Sequence, residues 1–241
     1  MKINPYIKNK KRLLNDFRRT TARIRPILVS RYGDRRANIM TEEAAMEYEA
    51  LIPILPYVGG KQPFTQFIIS TGWYLANYRV LQRQGASVEE AGRLIYLSTE
   101  AFLKTVPGFA RRLLGRRSFS KQYLNRLKKG ALKTQQRKYP GNYVFTFVEG
   151  DGETFDYGVD YSECGPCKFL KSQGAFELAP YICATDQLTS DMLGWGLKRT
   201  MTLAEGYEKC DFRFRKGGKT EISLPAALLV PWNDSSLGKK A

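Results

Sequence analysis

Residues 157–214 read YGVDYSECGPCKFLKSQGAFELAPYICATDQLTSDMLGWGLKRTMTLAEGYEKCDFRF. The first residues alternate: Tyr157, Val159 and Tyr161 share one face of an extended strand. The pattern then turns helical, with one short helix expected from Cys164 to Gly174 and a second opening near Pro180 and ending at Gly194. Strands are expected again at about 197–203 and 210–216. All four cysteines (Cys164, Cys167, Cys183, Cys210) and nine carboxylates lie at or inside this stretch, so the chemistry is sought here.

Upstream, Tyr143–Glu149 is β-branched and aromatic, Gly150-Asp151-Gly152 is turn-forming, and Thr154–Tyr161 alternates, which predicts a hairpin. Before residue 140 the period is helical. Leu13, Leu14, Phe17, Thr21 and Ile24 form a stripe that is expected to stop at Pro26. Thr41 suits a helix N-cap. A long helix is expected over 63–83, with Gly85 at its C-cap. Ser87 and Glu90 form an S-x-x-E box opening a helix over 88–104, with Leu94, Ile95 and Phe102 inward. Pro107-Gly108 interrupts, and a basic helix over about 118–132 follows. Four or five helices thus precede the hairpin. The expected class is α+β: an N-terminal helical layer (1–140) packed on a small antiparallel sheet of about four strands with inserted cysteine-bearing helices (141–230), then a loose tail (231–241), all in one compact unit.

The chain has 241 residues, is 43% hydrophobic and contains no histidine. Length and composition suffice for a proper core. The missing histidine removes Ser-His-Asp and Cys-His mechanisms, leaving Cys, Asp, Glu, Lys and Tyr. No apolar run spans a membrane and the first residues lack an apolar core, so a cytoplasmic, reducing setting is expected, where the four cysteines read as free thiols, metal ligands or redox groups. The formal charge of +16 is uneven. Residues 1–40 hold twelve Lys and Arg against two acids, and residues 104–138 hold twelve and none. Weak contact with anionic surfaces is expected of these segments, and no recognisable motif specifies nucleic acid.

Cys164-Gly-Pro-Cys167 resembles the thioredoxin active-site tetrapeptide, and a helix starting on it would lower the Cys164 pKa. The βαβ unit and later cis-proline of that fold have no counterpart: no proline falls between Pro180 and Pro225. The spacing C-x2-C-x15-C-x26-C lacks the second C-x-x-C of a zinc ribbon, so neither metal nor other cofactor is expected. Cys167 reads as a small buried hydrophobe. Cys183 and Asp186 stand three apart on one helix face. Arg199, on the next strand, suits either a bidentate grip on a substrate carboxylate or a surface ion pair with Glu205 or Glu208.

The segments DYSEC, GAFELAPYICATD, GLKRTMTLAEG and CDFRF, with looser agreement through PILPYVGG and WYLANYRVL, resemble the L-2-amino-thiazoline-4-carboxylic acid hydrolase family. The resemblance implies a hydrolase that opens a cyclic amidine, turning 2-amino-thiazoline-4-carboxylate into N-carbamoyl-cysteine. It implies catalytic roles for Cys183, Asp186 and Cys210. Arg199, Asp160, Cys164 and Glu205 become the substrate-binding candidates, with a small molecule as partner. Attack by a thiolate and attack by carboxylate-activated water both fit these residues. The alternatives are a small-ligand-binding module without chemistry and, less favoured, a dithiol redox protein using Cys164 and Cys167.

Overall fold

The computed structural model of the chain describes residues 4–60 and 63–230; the tail expected at 231–241 lies outside them. The helical half comprises α1 (Pro5–Lys8), α2 (Lys10–Tyr32), α3 (Asp34–Leu51), α4 (Pro63–Arg83), α5 (Val88–Lys104), α6 (Gly108–Arg117) and α7 (Lys121–Thr134). Then come β1 (Val144–Glu149), β2 (Tyr157–Glu163), α8 (Gly165–Ser172), α9 (Ala179–Leu193), β3 (Leu197–Arg199), β4 (Cys210–Phe214), β5 (Glu221–Ile222) and α10 (Ala226–Leu229). The α+β class stands. No helix among the described residues is long and apolar enough to cross a membrane.

Seven described helices, not four or five, precede residue 140. The break expected at Pro26 does not occur. The buried stripe Leu13, Phe17, Thr21, Ile24 and Leu28 continues past it, and that burial outweighs one missing backbone hydrogen bond. The helix stops instead at Gly33, whose φ of 77° is easy only for glycine. Thr41 caps nothing: it lies inside α3 and its hydroxyl donates to the Asn38 carbonyl at 2.8 Å. Ser87 does cap α5, accepting from the Glu90 amide at 3.3 Å. The Glu90 carboxylate turns away to Arg31 and to the Tyr32 hydroxyl. Phe102 points outward and is 42% exposed.

The sheet has five strands in the order β1-β2-β4-β3-β5, and β5 runs parallel to β3, so it is mixed where a four-stranded antiparallel sheet was expected. Side-chain capture of backbone amides shortens the strands. Asp151 takes the amides of Glu153, Thr154 and Phe155, which delays β2 to Tyr157. Asp211 takes those of Thr200 and Met201, which ends β3 at Arg199 where Leu203 was expected. Leu203–Glu205 then winds into a 3₁₀ turn capped by the Thr202 hydroxyl.

Register sets the sheet's inner face. Tyr157, Val159 and Tyr161 lie opposite Phe214, Phe212 and Cys210, and Phe145 lies opposite Tyr161 on the other side. α7 covers this face through Leu124, Leu127 and Ala131. The helical core centres on Phe17, Tyr48 and Trp73, with the Phe17 and Tyr48 rings stacked at 4.9 Å. Cys167 and Leu170 of α8, Leu178 in the 3₁₀ turn Phe176–Leu178, and Ala179 of α9 complete that same core. A cavity of about 50 Å³ lies between α2, α3, α4 and α5, and its walls carry neither cysteine nor carboxylate.

Candidate active site

Three connections converge where the two layers meet. Strand β2 runs into Cys164, the extended residue just before α8. Helix α9 carries Cys183 and Asp186 one turn apart. The inner face of the sheet supplies Cys210 and Tyr161 as opposed residues, with Arg199 two positions beyond inward-facing Leu197. Arg199 Nη1 donates to Asp186 Oδ2 at 2.5 Å and to the Cys183 carbonyl at 3.3 Å. The guanidinium lies 5.3 Å from the Phe212 ring centre, and its other nitrogens have no hydrogen-bond partner among the described residues. Arg199 is 5% exposed, whereas the Asp186 side chain keeps a third of its surface. The pair therefore forms one side of a cluster, termed the crevice below, whose carboxylate edge meets solvent. The surface ion pair with Glu205 or Glu208 does not form.

Aromatic rings build the remaining walls. Tyr143 stacks on Phe64 at 4.3 Å, and Tyr161 sits edge-on to Phe212 at 5.3 Å. Neither phenol hydroxyl has a hydrogen-bond partner among the described residues. The crowding appears in the acidities. Burial raises the Asp186 carboxyl while the Arg199 charge and hydrogen bond pull it down. Burial pushes Cys183 well up, neighbouring Cys164 and Asp186 add to this, and Arg199 opposes it. A hydrogen bond with the Cys167 side chain, then burial, pushes Cys164 well up, so the thiolate expected at a helix start does not arise. Burial takes Cys210 up to about 12, although the Leu203 amide donates to its sulfur at 3.2 Å. Burial raises Tyr143 and Tyr161 as well, reinforced by the nearby Cys164 and Asp186.

Five of the seven sequence candidates therefore meet: Cys164, Cys183, Asp186, Arg199 and Cys210. Two do not. Asp160 lies on the opposite sheet face, tied to Lys209 and Arg213 at 2.6 and 2.7 Å. Glu205 stays exposed and accepts from the Thr202 hydroxyl at 2.7 Å, serving the 3₁₀ turn. Tyr143, Phe64, Tyr161 and Phe212 escaped the sequence reading as site residues. Inward alternation marked Tyr161 and Phe212, but nothing local marked Phe64 or Tyr143. Cys167 turns into the helical core, and all four thiols are free. No three Cys, Asp or Glu among the described residues are placed to hold a metal ion.

The cluster brings together aromatic rings, an open guanidinium edge, thiols and a carboxyl, groups whose chemistry suits cations, anions and proton transfer respectively. A family model described as L-2-amino-thiazoline-4-carboxylic acid hydrolase matches residues 66–214, which include every residue of this cluster except Phe64. Neither a search of curated proteins nor one of solved structures returned a match.

Proposed function

The chain belongs to the L-2-amino-thiazoline-4-carboxylic acid hydrolase family, and on that premise we propose that the crevice opens a small cyclic amidine by thiol catalysis. The observation that carries the proposal is Cys183 and Asp186 on one face of α9, with Arg199 bound to that same turn. The amidinium of 2-amino-thiazoline-4-carboxylate enters among Phe64, Tyr143, Tyr161 and Phe212. Its carboxylate takes the free edge of Arg199.

The weak acidity of the buried thiols sets the order of events. Burial favours the neutral thiol form of Cys183. A bound cation favours its thiolate by direct attraction, and Asp186, made more basic by burial, takes the proton. The Cys183 sulfur attacks the amidine carbon, the bond from that carbon to the ring sulfur breaks, and the departing sulfur receives the proton from Asp186. Water then adds to the resulting isothiourea carbon, Cys183 leaves as thiolate and is reprotonated, and N-carbamoyl-cysteine is released. One water is consumed and nothing is oxidised. Cys164 and Cys210 flank the nucleophile as positioning groups.

The test is turnover of the thiazoline, followed by mass spectrometry of product and protein. Cys183→Ala should lower turnover at least about 100-fold, in line with losing an activated nucleophile. Denatured wild-type protein quenched during turnover should gain the full mass of the substrate. Undiminished turnover in both Cys183→Ala and Cys210→Ala would sink thiol catalysis in favour of water activated by Asp186. Saturable binding without product would point instead to a ligand-binding module.

A further inference from the structure

Helix α6 stands out from the fold in a way the chemistry at the crevice does not use. Gly115 is its point of contact: a Cβ there would lie 1.7 Å from the Leu193 carbonyl oxygen, so α6 lies flat against the end of α9. With that side down, Phe109, Leu113 and Leu114 face out and are 69%, 65% and 52% exposed. Phe109 and Leu113 stand one turn apart, and Arg112 and Arg116 form a parallel row beside them. Arg112, Arg116 and Arg117 have no acidic partner among the described residues. The segment from 104 to 138 carries no acid at all. On the preceding helix, exposed Phe102 has the Arg23 guanidinium of α2 5.7 Å from its ring centre.

We propose that α6 is a docking surface for an anionic lipid bilayer. The apolar residues would enter the interfacial zone while the arginines pair with lipid phosphates and carboxylates. Charge chooses the partner: a second copy of this chain would set arginine rows against each other. Shape narrows it further. The patch is the outer face of one helix, which suits a soft planar surface better than a peptide that needs a groove. Exposed phenylalanine and leucine add to what a purely electrostatic contact requires.

The test uses the full chain and vesicles of phosphatidylcholine with or without about one-third phosphatidylserine, in a salt series spanning several screening lengths. The protein should co-sediment with the phosphatidylserine vesicles at low salt and not with phosphatidylcholine alone. The pair Phe109→Ser with Leu113→Ser should weaken partition at least about tenfold, as lost apolar burial requires. Arg116→Glu with Arg117→Glu should weaken it comparably. All four positions are exposed, so each variant should keep the wild-type melting temperature and its turnover of the thiazoline. No binding to phosphatidylserine vesicles overturns the proposal, and so does full binding by the Phe109/Leu113 variant. An RNA oligonucleotide that strips the protein from vesicles at equal phosphate also overturns it, by assigning the charge to nucleic acid.

Discussion

In the helical half, a buried hydroxyl such as Thr71 donates to the carbonyl one turn back on its own helix, at 2.7 Å. In the sheet half, buried polar groups reach across elements. Ser190 of α9 bonds Thr220 before β5 at 2.8 Å and receives the Leu197 amide of β3 at 3.0 Å. Arg199 of β3 binds Asp186 of α9. The helical half has such links too: Glu90 joins α5 to α2, and the buried Tyr78 hydroxyl of α4 donates to Glu177 at 2.6 Å. The difference separates two jobs. Where polar groups are mostly satisfied locally, stability rests mainly on apolar packing. Where they are satisfied at long range, the same contacts that hold the layers together also shape the crevice.

The largest effect should come from breaking the packed half. Phe17→Ala removes the ring stacked on Tyr48 and should cost about 3–5 kcal/mol in denaturant unfolding, as large-to-small core changes do. Turnover per folded molecule should stay at the wild-type value; a change in substrate affinity would show that the helical core reaches the site. Arg199→Met comes next. It leaves Asp186 without its cation and should cost about 2–3 kcal/mol, below the usual figure for a fully buried pair because the carboxylate keeps a third of its surface. Substrate turnover should fall with it. A variant that is destabilised yet fully active would make the ion pair structural only.

Alkaline pH sharpens the contrast. Cys210 in the folded chain titrates near 12, above its ordinary 9.0, so the native state holds a proton that the unfolded chain has released. Its contribution is complete below pH 9 and fades as pH climbs toward 12, at roughly 1.4 kcal/mol per pH unit at most. Unfolding melts across that range should show Cys210→Ala with a shallower decline than wild type. The smallest change is expected from Asp160→Ala, on the outer sheet face. Loss of its partly exposed pairs with Lys209 and Arg213 should cost about 1 kcal/mol or less and leave turnover untouched. A large loss of turnover would return Asp160 to the site.

How far the molecule was legible follows from how local each signal is. The caps at Ser87 and Gly194 and the hairpin around Gly150–Gly152 are encoded within a few residues, and they stand as read. Pro26 misled because its local cost is real but smaller than the burial of a stripe that spans it. Strand β5 escaped because Glu221–Ile222 has no alternation to announce it and pairs only by virtue of where β3 lies. In the crevice, i and i+3 spacing on α9 placed Cys183 with Asp186, since one helix decides it. Asp160 joined the candidates through a match in a sequence segment, whereas alternation along β2 turns it away from Tyr161.

The sequence alone determined the helical and extended periods, the histidine-free chemistry, the two acid-poor basic segments and the motifs that carry the family, because each depends on residue type and near spacing. Tertiary structure alone decided that three thiols, Asp186 and Arg199 share one crevice while Cys167 does not. It also decided that Arg199 binds Asp186, and that α6 leaves its phenylalanine and leucines in solvent. Those outcomes depend on sheet register and on the contact of α6 with the end of α9, which are set by packing between segments far apart in the chain.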